Sequence, residues 1–142
     1  MLVGDFALVT AALFTGAAIY INVAEQPARL GLDDRGLLKE WKPAYGRGFA
    51  MQAPLALIGF IFGAWAWRLS GNWRWLAGAM VLITNWPYTF IVIMRTNNVL
   101  MTMPLESAGA ESRGLIEKWG RLHAVRSALG ALATAFFVWA AN

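Results

Sequence analysis

The sequence predicts an all-α integral membrane protein. The expected architecture is a four-helix bundle of up-down-up-down order, with a short amphipathic helix at the interface in the first loop. Three observations carry this. First, the 142 residues are 58% hydrophobic and 14% charged, with a mean hydropathy of +0.50, whereas ordinary soluble domains carry about 25% charged residues. A soluble domain with so few charges would expose large apolar patches. Second, four stretches lack charge: 6–24 (19 residues), 48–67 (20), 75–94 (20) and 127–142 (16). Crossing the hydrocarbon layer takes about 20 residues. Third, tryptophans gather at the ends of these stretches, as in an interfacial aromatic belt. The absence of cysteine excludes a disulfide scaffold, thiolate nucleophiles, zinc ribbons and iron–sulfur clusters.

The chain reads as one transmembrane domain over 1–142, with spans at about 4–24, 46–68, 74–96 and 120–141. Helices are the expected form because the backbone in lipid must satisfy its own hydrogen bonds. The first span has Asp5 where a signal peptide would be basic, and no clear cleavage site follows, so it is expected to stay as a span. In the long first loop, Asp33 is placed to cap a short helix carrying Leu37, Leu38 and Trp41, which Pro43 would end. Pro54 and Pro87 are expected to kink spans two and three. Gly71 and Asn72 make the second loop a tight turn. Pro104 and Gly109 mark the third loop, after which Leu115, Trp119 and Leu122 recur at helical spacing into span four. Trp65, Trp67, Trp73, Trp75 and Trp139 are expected to share one interface.

The fourth stretch is informative because it is short. Its 16 residues cover about 24 Å. To cross, the helix must start near Leu122, which draws His123 and Arg126 below the surface.

Charge is polarised. Ten of the 12 basic residues fall in loops one and three or at their edges, and only Arg68 and Arg74 lie at the other end. The excess of basic residues predicts that loops one and three are cytoplasmic and both termini outside. Polar and aromatic residues gather at the same end: Asn22, Glu25 and Arg29 on one face of span one; Tyr45, Phe49 and Gln52 on span two; Arg95, Asn97 and Asn98 at the end of span three; Trp119, His123 and Arg126 on span four. Ionisable groups at that depth face the interior with a partner. Glu25 is the expected partner of Arg126, directly or through a network with Asn22 and Asn97.

His123 is the only histidine, and the one side chain whose ordinary pKa suits proton transfer near neutral pH. A single histidine gives neither a bis-histidine haem within one chain nor a three-histidine zinc site. No phosphate loop or serine-triad order occurs. The basic residues alternate with acidic ones, so nucleic acid is not expected as a partner. A hydrophobic small molecule or lipid is expected, besides the bilayer, and a homo-oligomer is left open.

The stretches Glu25-Gln-Pro-Ala-Arg-Leu30, Trp41-Lys-Pro-Ala-Tyr45, Met51-Gln52-Ala53, Ile93-Met-Arg-Thr-Asn97 and Trp119-Gly-Arg-Leu-His-Ala-Val-Arg126 resemble the anthrone oxygenase-like family. These are small four-span membrane proteins, mostly bacterial, long catalogued as a domain of unknown function, so the resemblance implies a bacterial inner membrane. The resemblance covers nearly the whole chain in the same order. It implies oxidation of an anthrone- or phenol-like aromatic compound by molecular oxygen with no cofactor, while haem or a metal stays open. It implies His123, Arg126 and Asn97 as catalytic residues. Trp119, Glu25, Tyr45, Gln52, Asn22 and Asn98 would surround the substrate, with Trp119 and Tyr45 stacking on its ring. Two positions depart from the family pattern: Gln26 stands where relatives often have histidine, and Arg95 where they have proline, adding a charge beside the expected pocket. The alternative reading is a non-catalytic membrane binder of a lipid, quinone or haem using the same pocket. A third is a structural subunit of a larger assembly.

Overall fold

The computed structural model describes residues 1–142, and four long helices account for nearly all of them: α1 (Leu2–Leu30), α2 (Asp34–Ser70), α3 (Trp73–Thr102) and α4 (Ala110–Ala141). Each is long and apolar enough to cross a membrane. They form the expected four-helix bundle. α1 lies against α2 and α4, and α3 against the same two, so α1 and α3 face each other across the bundle.

Small residues bring the helices together, as is usual where van der Waals contact rather than water drives association. A methyl group on Gly78 would stand 2.6 Å from the Phe137 ring, and one on Gly130 would stand 2.9 Å from Phe14. Between α1 and α4, Thr15 and Thr134 share a hydroxyl–hydroxyl hydrogen bond of 3.0 Å.

Two features differ from expectation. The first-loop helix exists, and Asp33 caps it, its carboxylate accepting from the Gly36 N–H at 2.7 Å. It is not a separate interfacial element, however. The helix runs through Pro43 and Pro54 without a stop, as one 37-residue α2. Leu37, Leu38 and Trp41 are completely buried, and the packing they gain holds the helix together past the missing proline N–H groups. The second difference concerns the belt. Trp73 and Trp139 meet edge to face at 5.6 Å, with Arg74 4.1 Å above the Trp139 ring. Trp75 instead turns inward, 4% exposed, against Phe137.

α1 and α3 are not uniform. Each widens into one π-helical turn, at Ile21–Glu25 in α1 and at Thr89–Ile93 in α3. Each such turn lies within two residues of a proline, Pro27 and Pro87. The missing proline N–H disrupts the regular ladder there, and such turns recur at functional sites.

Along the bundle the core divides into layers. One apolar cluster surrounds Phe14, Trp75, Leu82 and Phe137. Another, at the end bearing loops one and three, surrounds Leu37, Trp41, Ile116 and Trp119. On each of α2, α3 and α4 the residues between these clusters include buried polar ones: Gln52; Asn85 and Thr89; His123 and Arg126.

Candidate functional site

The polar layer encloses a chamber of about 20 Å³, lined from α1 by Ile21, Glu25 and Arg29, from α2 by Ala44, Tyr45, Gly48, Phe49 and Gln52, and from α4 by Trp119, His123 and Arg126. Helical spacing explains the grouping. Trp119, His123 and Arg126 recur at four and three residues on one face of α4. The π turn in α1 supplies Ile21 and Glu25. The chamber thus collects six of the nine residues expected to form a site: Glu25, Tyr45, Gln52, Trp119, His123 and Arg126.

The other three lie elsewhere. Asn22 donates to the Gly120 carbonyl at 2.9 Å and accepts from the Ser127 hydroxyl at 2.7 Å, tying α1 to α4. Asn97 is fully buried, its amide beside the Tyr45 hydroxyl but making no well-formed hydrogen bond. Asn98 is exposed on the outside of α3. Arg95 is exposed too, in a surface hollow with Lys118, so its charge does not border the chamber.

The ion pairing is not the expected one. Glu25 pairs with Arg29, one turn along the same helix, and Arg29 Nε also lies 3.0 Å from Glu40 Oε2. The Arg29 side chain is 3% exposed, and its guanidinium stands 5.7 Å from the Trp119 ring centre. Residues four apart are neighbours on a helix, and an acid one turn before a base is the favourable order, which favours Arg29 over Arg126 as the partner. Arg126 therefore has no carboxylate within 4.0 Å. Its guanidinium stands 5.6 Å from the ring centre of Phe14, with the hydroxyl-bearing rings of Tyr45 and Tyr88 as its polar neighbours. Buried cations are normally paired, so this one is available to an anion.

His123 is 1% exposed. Its ring lies against Trp119, with centroids 5.0 Å apart; one nitrogen faces the Ala18 carbonyl of α1, short of a well-formed hydrogen bond, and the other has no partner in the chain. Gln52 Oε1 is likewise without a donor. Buried polar atoms without partners are rare, and each calls for an explanation. His123 and Gln52 bring such atoms to one chamber. The stacking faces are partly taken: Trp119 by His123, and Tyr45 by Trp41, whose rings are 5.1 Å apart and nearly parallel. Gln26 donates to the Ile116 carbonyl at 2.9 Å and packs under Gly120. No three His, Cys, Asp or Glu side chains come together as a metal-binding group.

Sequence reasoning did not single out Arg29, Ala44 or Gly48 as site residues. The signals for them were slight: Arg29 stands four residues after Glu25, and Ala44 and Gly48 are small residues four apart on the face that carries Gln52.

The family model described as anthrone oxygenase matches residues 41–136. The anthrone oxygenase tpcL of Aspergillus fumigatus is 28% identical over 131 residues, covering 85% of this chain and 81% of that protein. An anthrone oxygenase of Claviceps purpurea is 27% identical over 138 residues, covering 87% of this chain and 79% of its own. Both relatives are fungal, so the expected bacterial origin finds no support in them. No solved structure matches. The matched segment spans α2, α3 and most of α4, including Gln52, Trp119, His123 and Arg126, and the chain belongs to the anthrone oxygenase family.

Proposed function

We propose that this protein oxidises an anthrone-type aromatic compound with molecular oxygen, using His123 as the base and Arg126 as the anion site. The observation that carries the reading is the pairing of two unpartnered buried groups on one chamber wall. His123 has a ring nitrogen with no partner in the chain, its other nitrogen facing the Ala18 carbonyl, and three residues along the helix Arg126 has no carboxylate.

The chemistry follows from what these groups can do. The CH₂ group of an anthrone is acidic because its anion delocalises onto the carbonyl oxygen. His123 takes one proton from that carbon. The negative charge that develops on oxygen is stabilised by Arg126, a buried cation aimed where charge appears. The electron-rich carbon then reacts with O₂ to form a C–O bond and a peroxide, and the imidazolium returns its proton to the peroxide. Breaking the O–O bond and the second C–H bond releases water and leaves a C=O. One oxygen atom ends in the quinone and the other in water, so the reaction as written calls for no additional electron donor. Tyr45 and Gln52 border the same space as hydrogen-bonding groups. The wealth of basic residues beside this end of the bundle supports a cytoplasmic orientation for it.

The test is anthraquinone formation and O₂ uptake by the purified protein in lipid nanodiscs. The wild-type protein should accelerate both over buffer. His123→Ala should lower kcat by about 10²- to 10⁴-fold, and Arg126→Gln by about 10²-fold. A fully active His123→Ala protein sinks the mechanism. An absorption spectrum of the same sample separates catalysis from non-catalytic haem or quinone binding.

A further inference from the structure

The chamber beside His123 is too small for the molecule the reaction needs. Its volume of about 20 Å³ has room for roughly one water-sized guest, dioxygen included, and not for fused rings. Next to it, α1 and α2 part to leave a groove of about 640 Å³, within the usual range for small-molecule sites. The two spaces adjoin, because Ile21, Glu25, Ala44, Gly48 and Gln52 line both. Only α1 and α2 wall the groove, so it opens sideways from the bundle rather than along its axis.

The groove has two chemical ends. Tyr20 and Met51 give it an exposed, largely apolar flank, and Glu40 and Arg47 stand at its polar rim. At the junction with the chamber sits Gln52, 2% exposed, with an Oε1 that accepts no hydrogen bond from the chain. That oxygen calls for a donor, which a phenolic hydroxyl supplies and a lipid acyl chain does not. Gly48 stands at the same junction. A methyl group there would meet only Ile21 Cδ1, at 3.8 Å, an ordinary contact. Helix packing therefore does not require glycine at 48, although glycine in a helix costs about 1 kcal/mol relative to alanine. What the missing side chain does provide is an open passage.

We infer that the α1–α2 groove is the docking site of a planar, hydroxylated polycyclic aromatic compound that arrives from the bilayer, and that Gly48 sets the width through which it reaches the chamber. The inference rests on the oxygenase reading for what happens next. The ring system lies in the groove with a hydroxyl donated to Gln52 Oε1 and its reactive edge toward the chamber. The chamber, of a size for one small molecule, is left for oxygen.

The chain contains no cysteine, so a single introduced thiol reports on one place. Gly48→Cys and, as control, Thr102→Cys on the exposed far end of α3 are alkylated with N-ethylmaleimide in nanodiscs, with and without a hydroxylated anthraquinone. This planar tricyclic probe cannot be oxidised further along the proposed path. The probe should slow alkylation of Gly48→Cys by about tenfold and leave Thr102→Cys unchanged. No protection, or equal protection of both, overturns the docking site. Equal protection by a saturated fatty acid makes the groove a lipid site and also overturns it. In turnover, Gly48→Leu should raise KM for an anthrone about tenfold with kcat little changed, and an unchanged KM removes Gly48 as the width-setting residue. Protection of Gly48→Cys by the probe, together with a wild-type protein that does not oxidise an anthrone, would sink the oxygenase reading and leave the groove standing.

Discussion

His123 lies flat against Trp119, with ring centroids 5.0 Å apart and planes 17° from parallel. The indole sets the plane of the imidazole, one nitrogen of which faces the Ala18 carbonyl while neither makes a well-formed hydrogen bond in the chain. Trp119 is itself held, with Trp41 edge-on at 5.8 Å and Arg29 5.7 Å from its ring centre. A chain of packed groups thus runs from α1 and α2 to the orientation of the base on α4.

On the proposed mechanism, Trp119 is a positioning residue for His123. Trp119→Ala frees the imidazole to rotate, and loss of alignment of this kind costs up to about 10²-fold. The expected signature is a lower kcat with KM little changed, and recovery of most of the rate in Trp119→Phe, which keeps an aromatic face. Steady-state anthraquinone formation reads both parameters. A raised KM with unaltered kcat would instead mean that Trp119 touches the substrate.

Arg29 is shared by two carboxylates, which predicts non-additive stability. With Glu25 neutralised, Glu40 still faces the guanidinium, and the converse holds as well. Both carboxylates are partly exposed, so each single Glu→Gln substitution should cost only about 1 kcal/mol. The double Glu25→Gln, Glu40→Gln variant leaves a cation with 3% side-chain exposure unpaired, and should cost about 3 kcal/mol or more. A double-mutant cycle on denaturation in mild detergent measures the excess. Strict additivity would show that Arg29 finds other acceptors.

The four spans were legible because lipid imposes one simple demand, a charge-free run of sufficient length. The shortness of the last run was equally legible, and it correctly brought His123 and Arg126 into the interior. What escaped was pairing and register. Sequence spacing puts Asn22, Glu25 and Arg29 on one face, yet in the fold Asn22 turns to α4 and Glu25 to the chamber. The intervening π turn alters the local register, and no periodicity rule anticipates it. Pro43 was read as a stop because the proline rule is local. Leu37, Leu38 and Trp41 overrode it by being buried against groups distant in sequence. The site suffered in the same way: residues on the face of α4 were found by spacing, whereas Gly48 and Ala44 carry no chemistry and matter only through the space they leave.

Glycines at close and open positions should respond in opposite directions. Gly78→Ala places a methyl group 2.6 Å from Phe137 and 3.1 Å from Phe136 Cβ, which must separate α3 from α4 and should cost about 1–3 kcal/mol. Gly16→Ala in α1 meets nothing within 4 Å, so only helix propensity acts, and it should stabilise by about 0.5–1 kcal/mol. Thermal denaturation in one detergent compares the two. Equal effects would mean that the helix contact at Gly78 is loose.

Arg113 is the clip that closes the polar end, and its replacement separates geometry from charge. Its Nε donates to Asp34 Oδ1 at 2.5 Å, while its two terminal nitrogens donate to the carbonyls of Leu30 (2.9 Å) and Leu32 (2.5 Å). Those carbonyls lie at and just beyond the end of α1, where the helix leaves acceptors unpaired. A cation there also meets the negative end of the helix dipole. One planar fork thus fastens the α1–α2 turn to the first turns of α4, next to the layer containing Trp119. Lysine carries the same charge but cannot reach three acceptors in fixed directions. Arg113→Lys should therefore lose most of what Arg113→Ala loses, about 1–2 kcal/mol, and both should speed hydrogen exchange at the Gly31, Leu32 and Gly36 amides. Full retention of stability and exchange protection in Arg113→Lys would show that charge alone holds the turn.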